Sequence, residues 1–176
     1  PTYRSIIDLD FRLTVELSLL FHARLSRQGG GFILNVTSLA AFLPLPYQAV
    51  YGAAKAAAQN FTDCLRTENR GSPVLIATFA PSGLATEMVA DAGLSRHMEK
   101  HLRWYLTPQK AARVALEGLK RGKSLIVPGL ANRLLYGLLQ IVPRSLAIAA
   151  AKAVYRCDRY RLPGAEVARV WTGGKG

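Results

Sequence analysis

Phe32-Ile-Leu-Asn-Val-Thr-Ser-Leu-Ala-Ala-Phe-Leu-Pro-Leu-Pro-Tyr-Gln-Ala-Val-Tyr-Gly-Ala-Ala-Lys55 reads as a strand, a loop and the first turns of a helix. The continuous apolar run Phe32–Thr37 predicts a strand buried on both faces of a parallel sheet. Pro44 and Pro46 keep residues 38–48 in a loop. An Ala-rich helix then runs from about Tyr47 or Ala49 to Arg70, where Gly71-Ser-Pro73 breaks it. Tyr51 and Lys55 lie four residues apart on that helix, so both project from one face. A cation beside a phenol favours the phenolate. A tyrosine so placed can exchange a proton with a carbonyl or alcohol oxygen. Ser38, thirteen residues before Tyr51 (51 − 38), can hold that oxygen, and the set points to carbonyl–alcohol redox chemistry.

Upstream, Ile6, Leu9, Leu13, Leu17, Leu20 and Phe21 recur at spacings of three and four and predict a helix over 5–27. Gly29-Gly30-Gly31 ends that helix and opens the strand; a phosphate loop follows a strand instead, so this is read as a turn. Downstream, Val74–Phe79 predicts a second buried strand, with the loop Ala80–Thr86 at its C-terminal end. Residues 87–106 read as irregular or partly helical. Thr107-Pro108 starts a helix that reaches about Arg121, with Thr as N-cap and Pro in the first turn. Ser124–Val127 is a short third strand closed by Pro128-Gly129. Alternating helices and strands predict an α/β, Rossmann-like parallel sheet with crossover helices, incomplete at about three strands. Ligands sit at the C-terminal ends of such strands, so Ser38 and the loop Pro81–Thr86 are expected to face one crevice.

Residues 1–129 are thus one domain, 130–161 an apolar and basic helical extension, and 162–176 a flexible tail. Pro143-Arg144 splits the extension into two short helices. Neither reaches the roughly twenty apolar residues a membrane span needs, so an interfacial or oligomer-packing hairpin is expected. Residues 1–99 hold eight Lys/Arg and eight Asp/Glu, and residues 100–176 hold fifteen and three, so the whole net charge of +12 lies in the second part. Its cations alternate with Leu, Ile, Val and Ala rather than stacking aromatics, which favours a membrane surface or partner helix over nucleic acid; a solvated basic face is the plain alternative. Cys64 and Cys157 lie far apart and in no metal-like spacing, and read as free thiols of a reducing compartment, with a long-range disulfide as the alternative. The chain opens with neither Met nor a signal-like segment, and reads as a fragment or processed product, cytoplasmic or at a membrane surface. His97 and His101 have no third ligand, so no metal site is expected; His22, in an apolar helix, reads as a core or boundary residue.

With Ser38, Tyr51 and Lys55 at these spacings, the chain resembles the short-chain dehydrogenase/reductase family over roughly residues 5–129. Ile33-Leu-Asn-Val-Thr-Ser38 resembles the strand that ends in the family's serine, and Tyr51-Gly-Ala-Ala-Lys55 matches its Tyr-x-x-x-Lys motif. Pro81-Ser-Gly-Leu-Ala-Thr86 resembles its Pro-Gly-x-Val-x-Thr loop. The resemblance implies that Tyr51 is the acid/base, that Lys55 favours its phenolate and bonds the nicotinamide ribose, and that Ser38 bonds the substrate oxygen. It also implies that Pro81, Ser82, Leu84 and Thr86 line the nicotinamide end of NAD or NADP, Leu84 through its backbone. A small hydrophobic carbonyl substrate, a lid between Thr86 and the next helix that Trp104 and Tyr105 line, and a homo-oligomer are implied as well.

Three departures accompany the resemblance. Asp10, in Asp8-Leu9-Asp10, stands where the family has an Asn that holds a relay water. Ser82 stands where the loop has glycine. Neither the Thr-Gly-x-x-x-Gly-x-Gly turn nor the Asn-Asn-Ala-Gly strand end occurs, so the chain resembles the C-terminal part of a member, and its sheet is expected to expose an edge. Read singly, Tyr51 is also compatible with a helix residue at the rim, Lys55 with a solvated lysine, Ser38 with a cap, and Tyr47 with a pocket-lining aromatic. Two functions follow: an NAD(P)-dependent oxidoreductase, or a truncated non-enzymatic relative that binds a partner or a membrane surface.

Overall fold

The computed structural model describes residues 3–45, 48–82 and 106–154. A first helix runs as α1 (Tyr3–Ile7), a π-helical segment (Asp8–Arg12) and α2 (Leu13–Arg27). Strand β1 (Gly31–Val36) leads through a 3-10 turn (Leu39–Ala41) to α3 (Ala49–Glu68) and strand β2 (Val74–Phe79). After the crossover helix α4 (Pro108–Lys120) come the short strand β3 (Leu125–Ile126) and two helices, α5 (Leu130–Ile141) and α6 (Arg144–Val154).

The three strands form one parallel sheet in the order β1-β2-β3, the alternation expected of a Rossmann-like fold. Gly31 pairs with Val74 and Val36 with Phe79. Thr78 and Phe79 pair with Leu125 and Ile126. Two layers cover the sheet. On one side Ile33, Val74 and Ile76 pack on Leu65 of α3, with Leu25 of α2 and Phe61 beside them. On the other, Ala77, Phe79 and Ile126 pack on Ala111, Ala115 and Leu119 of α4. Gly118 lets α4 come this close, since a Cβ there would lie 2.7 Å from the Ile126 side chain. Thr107 caps α4, its hydroxyl accepting from Lys110 N at 3.3 Å, with Pro108 in the first turn as expected.

Strand β1 departs from the expectation of burial on both faces. Ile33 is buried, but Phe32 is 61 % exposed and Val36 51 % exposed. Both point to the α4 side, and α4 joins β2 to β3, so it covers those strands and stops short of β1. The first helix turns its apolar stripe outward. Its inward side carries buried Ser18 and half-buried His22 and Leu25, while Leu9, Leu13, Leu17, Leu20 and Phe21 are exposed. The apolar stripe that reveals the helix therefore faces away from the sheet.

The triple-glycine turn is required by its geometry. Gly29 has φ +86° and Gly30 +137°, and a Cβ on Gly30 would lie 2.8 Å from the Pro73 carbonyl. No described helix is long and apolar enough to cross a membrane. Among the described residues no cluster of metal-ligating side chains occurs. The expectations placed on Tyr47, Leu84, Thr86, His97, His101, Trp104, Tyr105, Cys157 and the tail 162–176 lie outside the described residues.

Candidate active site

The ends of β1 and β2 are held side by side. Thr37 N donates to Phe79 O and Leu39 N to Pro81 O, both at 2.9 Å. Ser38 lies between these bonds, buried, with an extended backbone. Its hydroxyl donates to Pro81 O at 3.4 Å and accepts from Ala40 N at 3.1 Å. Ser38 therefore does cap the 3-10 turn, and it also sits at the strand-end crevice beside Pro81. Exposed Ser82 follows directly. The cap occupies the hydroxyl oxygen, and the long bond to Pro81 leaves its proton only weakly held.

Helix α3 crosses over this turn. Gly52, next to Tyr51, faces the Ala40 carbonyl, 3.5 Å from where a Cβ would stand. The Lys55 ammonium lies 5.7 Å from the Tyr51 ring centroid, within the range of a cation–π contact. That ammonium also donates to Val36 O, the last carbonyl of β1, at 3.2 Å, and pairs with Asp10 Oδ1 at 3.0 Å. The Lys55 side chain is 12 % exposed and that of Asp10 26 %, so Lys55 is not a solvated surface lysine. Asp10 reaches it from the π-helical segment, a bulge of the kind often found at functional sites. The neighbouring carboxylates are taken up elsewhere. Arg12 binds Asp8 at 2.9 Å and Glu16 at 2.8 Å, and these hydrogen bonds, that to Asp8 foremost, raise its pKa above the ordinary arginine value.

Beneath the site runs a buried polar ladder that the sequence reading passed over. Asn35 Nδ2 donates to Ser18 Oγ at 3.0 Å and to Thr62 Oγ1 at 2.9 Å. Thr37 Oγ1 donates to Gln59 Oε1 at 3.1 Å, and Gln59 Nε2 donates to Asp63 Oδ2 at 3.0 Å. Thr62 and Thr78 are fully buried. The signal was present: Asn35 and Thr37 alternate inside an apolar strand, and Lys55, Gln59 and Thr62 share one face of α3. The ladder ties α2, β1 and α3 together directly under Lys55. His22 is a boundary residue as read, bonded to Asn69 Oδ1, while Asn69 Nδ2 donates to Val74 O.

Residues 1–96, more than half of the chain, match the family described as short chain dehydrogenase. The chain belongs to that family. It is 28 % identical over 160 residues to SadH of Mycobacterium tuberculosis, covering 85 % of this chain and 58 % of SadH. It is 35 % identical over 123 residues to the uncharacterized oxidoreductase DltE of Bacillus subtilis, covering 68 % of this chain and 46 % of DltE. The chain thus spans about half the length of these curated relatives. A short chain dehydrogenase from Burkholderia cenocepacia, solved in complex with NADP, has the same fold, with a TM-score of 0.69 at 22 % identity over 88 % of this chain and 61 % of that one. Ser38 follows the C-terminal end of β1, and Lys55 reaches that end from α3 through Val36 O, at the side of the sheet where parallel sheets take their ligands.

Proposed function

We propose that this chain carries the acid/base part of an NAD(P)-dependent oxidoreductase that interconverts a carbonyl and an alcohol. The observation that carries this reading is Lys55, drawn in under β1 and held against the Tyr51 ring rather than left in solvent. Tyr51 acts as acid in the reducing direction: its phenol O–H bond breaks, and the proton passes to the substrate oxygen. The Lys55 cation stabilises the phenolate left behind. Ser38 turns its hydroxyl from Pro81 O to the substrate oxygen and orients it. In the alcohol-oxidising direction the same proton returns to Tyr51. Asp10 tethers Lys55 and offsets part of its charge.

The residues present fit a nicotinamide nucleotide. An ammonium has three donors, and the bonds to Val36 O and Asp10 leave Lys55 one for a ribose hydroxyl. Pro81 and Ser82, with Leu84 and Thr86, would line the nicotinamide end. NAD and NADP both fit these groups. When bound, the nicotinamide supplies or accepts the hydride. The substrate class is a small hydrophobic carbonyl compound, in keeping with the apolar segment 130–154. The exposed stripe Leu9, Leu13, Leu17, Leu20 and Phe21 supports a homo-oligomer, and free Cys64 supports a reducing, cytoplasmic setting. Titrating NADPH and NADH against the protein tests the cofactor part. Saturable binding at about micromolar concentrations is expected; binding of neither nucleotide counts against it.

A further inference from the structure

Helix α5 rests on the fold through one narrow side. Asn132 Nδ2 donates to Pro128 O at 2.8 Å, and the Tyr136 ring meets Phe42 edge-on with centroids 4.9 Å apart. At about 100° per residue the opposite side of α5 carries Leu130, Leu134, Gly137, Leu138 and Ile141. The four large residues are 71, 66, 52 and 79 % exposed. Across the turn at Pro143, α6 adds exposed Leu146 and Ile148. Helix α5 thus turns an apolar face of four large side chains outward.

The segment that carries this face is basic. Residues 118–157 contain seven Lys/Arg and no Asp/Glu. Arg133 flanks the apolar face, its Nε tied to Val127 O at 3.0 Å. Arg133 lines a cavity of about 330 Å³ with Arg121, Lys123 and Tyr136, where Glu117 is the one carboxylate and stands 4.0 Å from Arg121. Arg144 opens α6 and Lys152 lies near its end.

We propose that the α5–α6 hairpin docks flat on an anionic membrane surface, with the Leu130–Leu134–Leu138–Ile141 face in the acyl boundary and the flanking cations on lipid phosphates. An apolar face on a hairpin whose only charges are the cations Arg133, Arg144 and Lys152 matches such a surface on both counts. A second copy packed hairpin on hairpin matches only the first, since it would bring like charges together and residues 130–154 hold no carboxylate to answer them. The helices lie on the bilayer rather than cross it, because the twelve residues of α5 extend only about 18 Å. This contact lies outside the redox site, and its test reads no turnover.

The test is co-sedimentation of the full chain with vesicles of phosphatidylcholine alone, or with about a third phosphatidylglycerol. Binding to the anionic vesicles is expected to be at least roughly tenfold tighter than to the neutral ones, and to weaken with salt. The double variant Leu134→Glu, Ile141→Glu should lose at least about tenfold of that binding. Both positions are exposed, and circular dichroism confirms an unchanged fold. Leu116→Glu, an exposed apolar residue of α4, should bind as the parent does. Equal binding by the double variant, or indifference to anionic lipid, overturns the proposal. So does a dimer in sedimentation velocity that the double variant dissociates, which would give the face to a second copy.

Discussion

Lys55 and Asp10 form an ion pair of 3.0 Å that joins α3 to the π-helical segment of the first helix. The pair places a carboxylate on the lysine that stands behind Tyr51. A negative charge there opposes the cation's stabilisation of a phenolate. Asp10→Asn keeps the shape and an acceptor for Lys55 but removes the charge. Turnover of the variant is therefore expected to rise several-fold, with a stability change within about 1 kcal/mol for a partly exposed pair. Steady-state kcat and a urea melt check both. An unchanged or lower kcat would show that the carboxylate does not restrain Lys55.

Lys55→Met retains the aliphatic stem and removes the ammonium. Three interactions disappear together: Asp10, Val36 O and the Tyr51 ring. Loss of turnover by about two orders of magnitude or more is expected, in line with the usual contribution of acid/base chemistry. NADPH affinity should weaken as well, since the ribose donor is gone. A variant with full affinity would remove Lys55 from the proposed nucleotide site.

The polar ladder is expected to bear on stability rather than chemistry. Thr62→Val is nearly isosteric and leaves Asn35 Nδ2 short of an acceptor in a fully buried position. The expected loss is about 1–3 kcal/mol. Thr67→Val, on the exposed side of the same helix, should stay within about 0.5 kcal/mol. Denaturant midpoints of the two variants give the comparison, and similar midpoints would mean that the ladder adds little.

Gly30→Ala tests the turn before β1. The substitution meets both a positive φ and the Pro73 carbonyl, so it is expected to cost more than about 1 kcal/mol. Gly71→Ala, also at positive φ but with open space around it, should cost less. Thermal unfolding distinguishes them, and equal melting temperatures would mean that the close approach is relaxed at no cost.

Much of the fold was legible because its signals are local. The bounds of β2, the Thr107–Pro108 start of α4 and the break at Pro143 each follow from neighbouring residues. Tyr51 and Lys55 share a helix, so their proximity follows from spacing alone. The Lys55–Asp10 pair was not legible, because it spans two elements and depends on the bulge at Asp8–Arg12. The outward direction of the α2 stripe was not legible for a related reason: periodicity reveals an apolar stripe but not the side on which the sheet lies. The exposure of Phe32 and Val36 likewise follows from where α4 ends, not from the composition of β1.

The most direct measurement of the central claim is the turnover of Tyr51→Phe with NADPH and a panel of hydrophobic ketones, set beside its NADPH affinity. The account predicts that kcat falls by at least about a hundredfold while cofactor binding stays within roughly twofold. A variant that turns over as fast as the parent would contradict the role of Tyr51 as the acid/base.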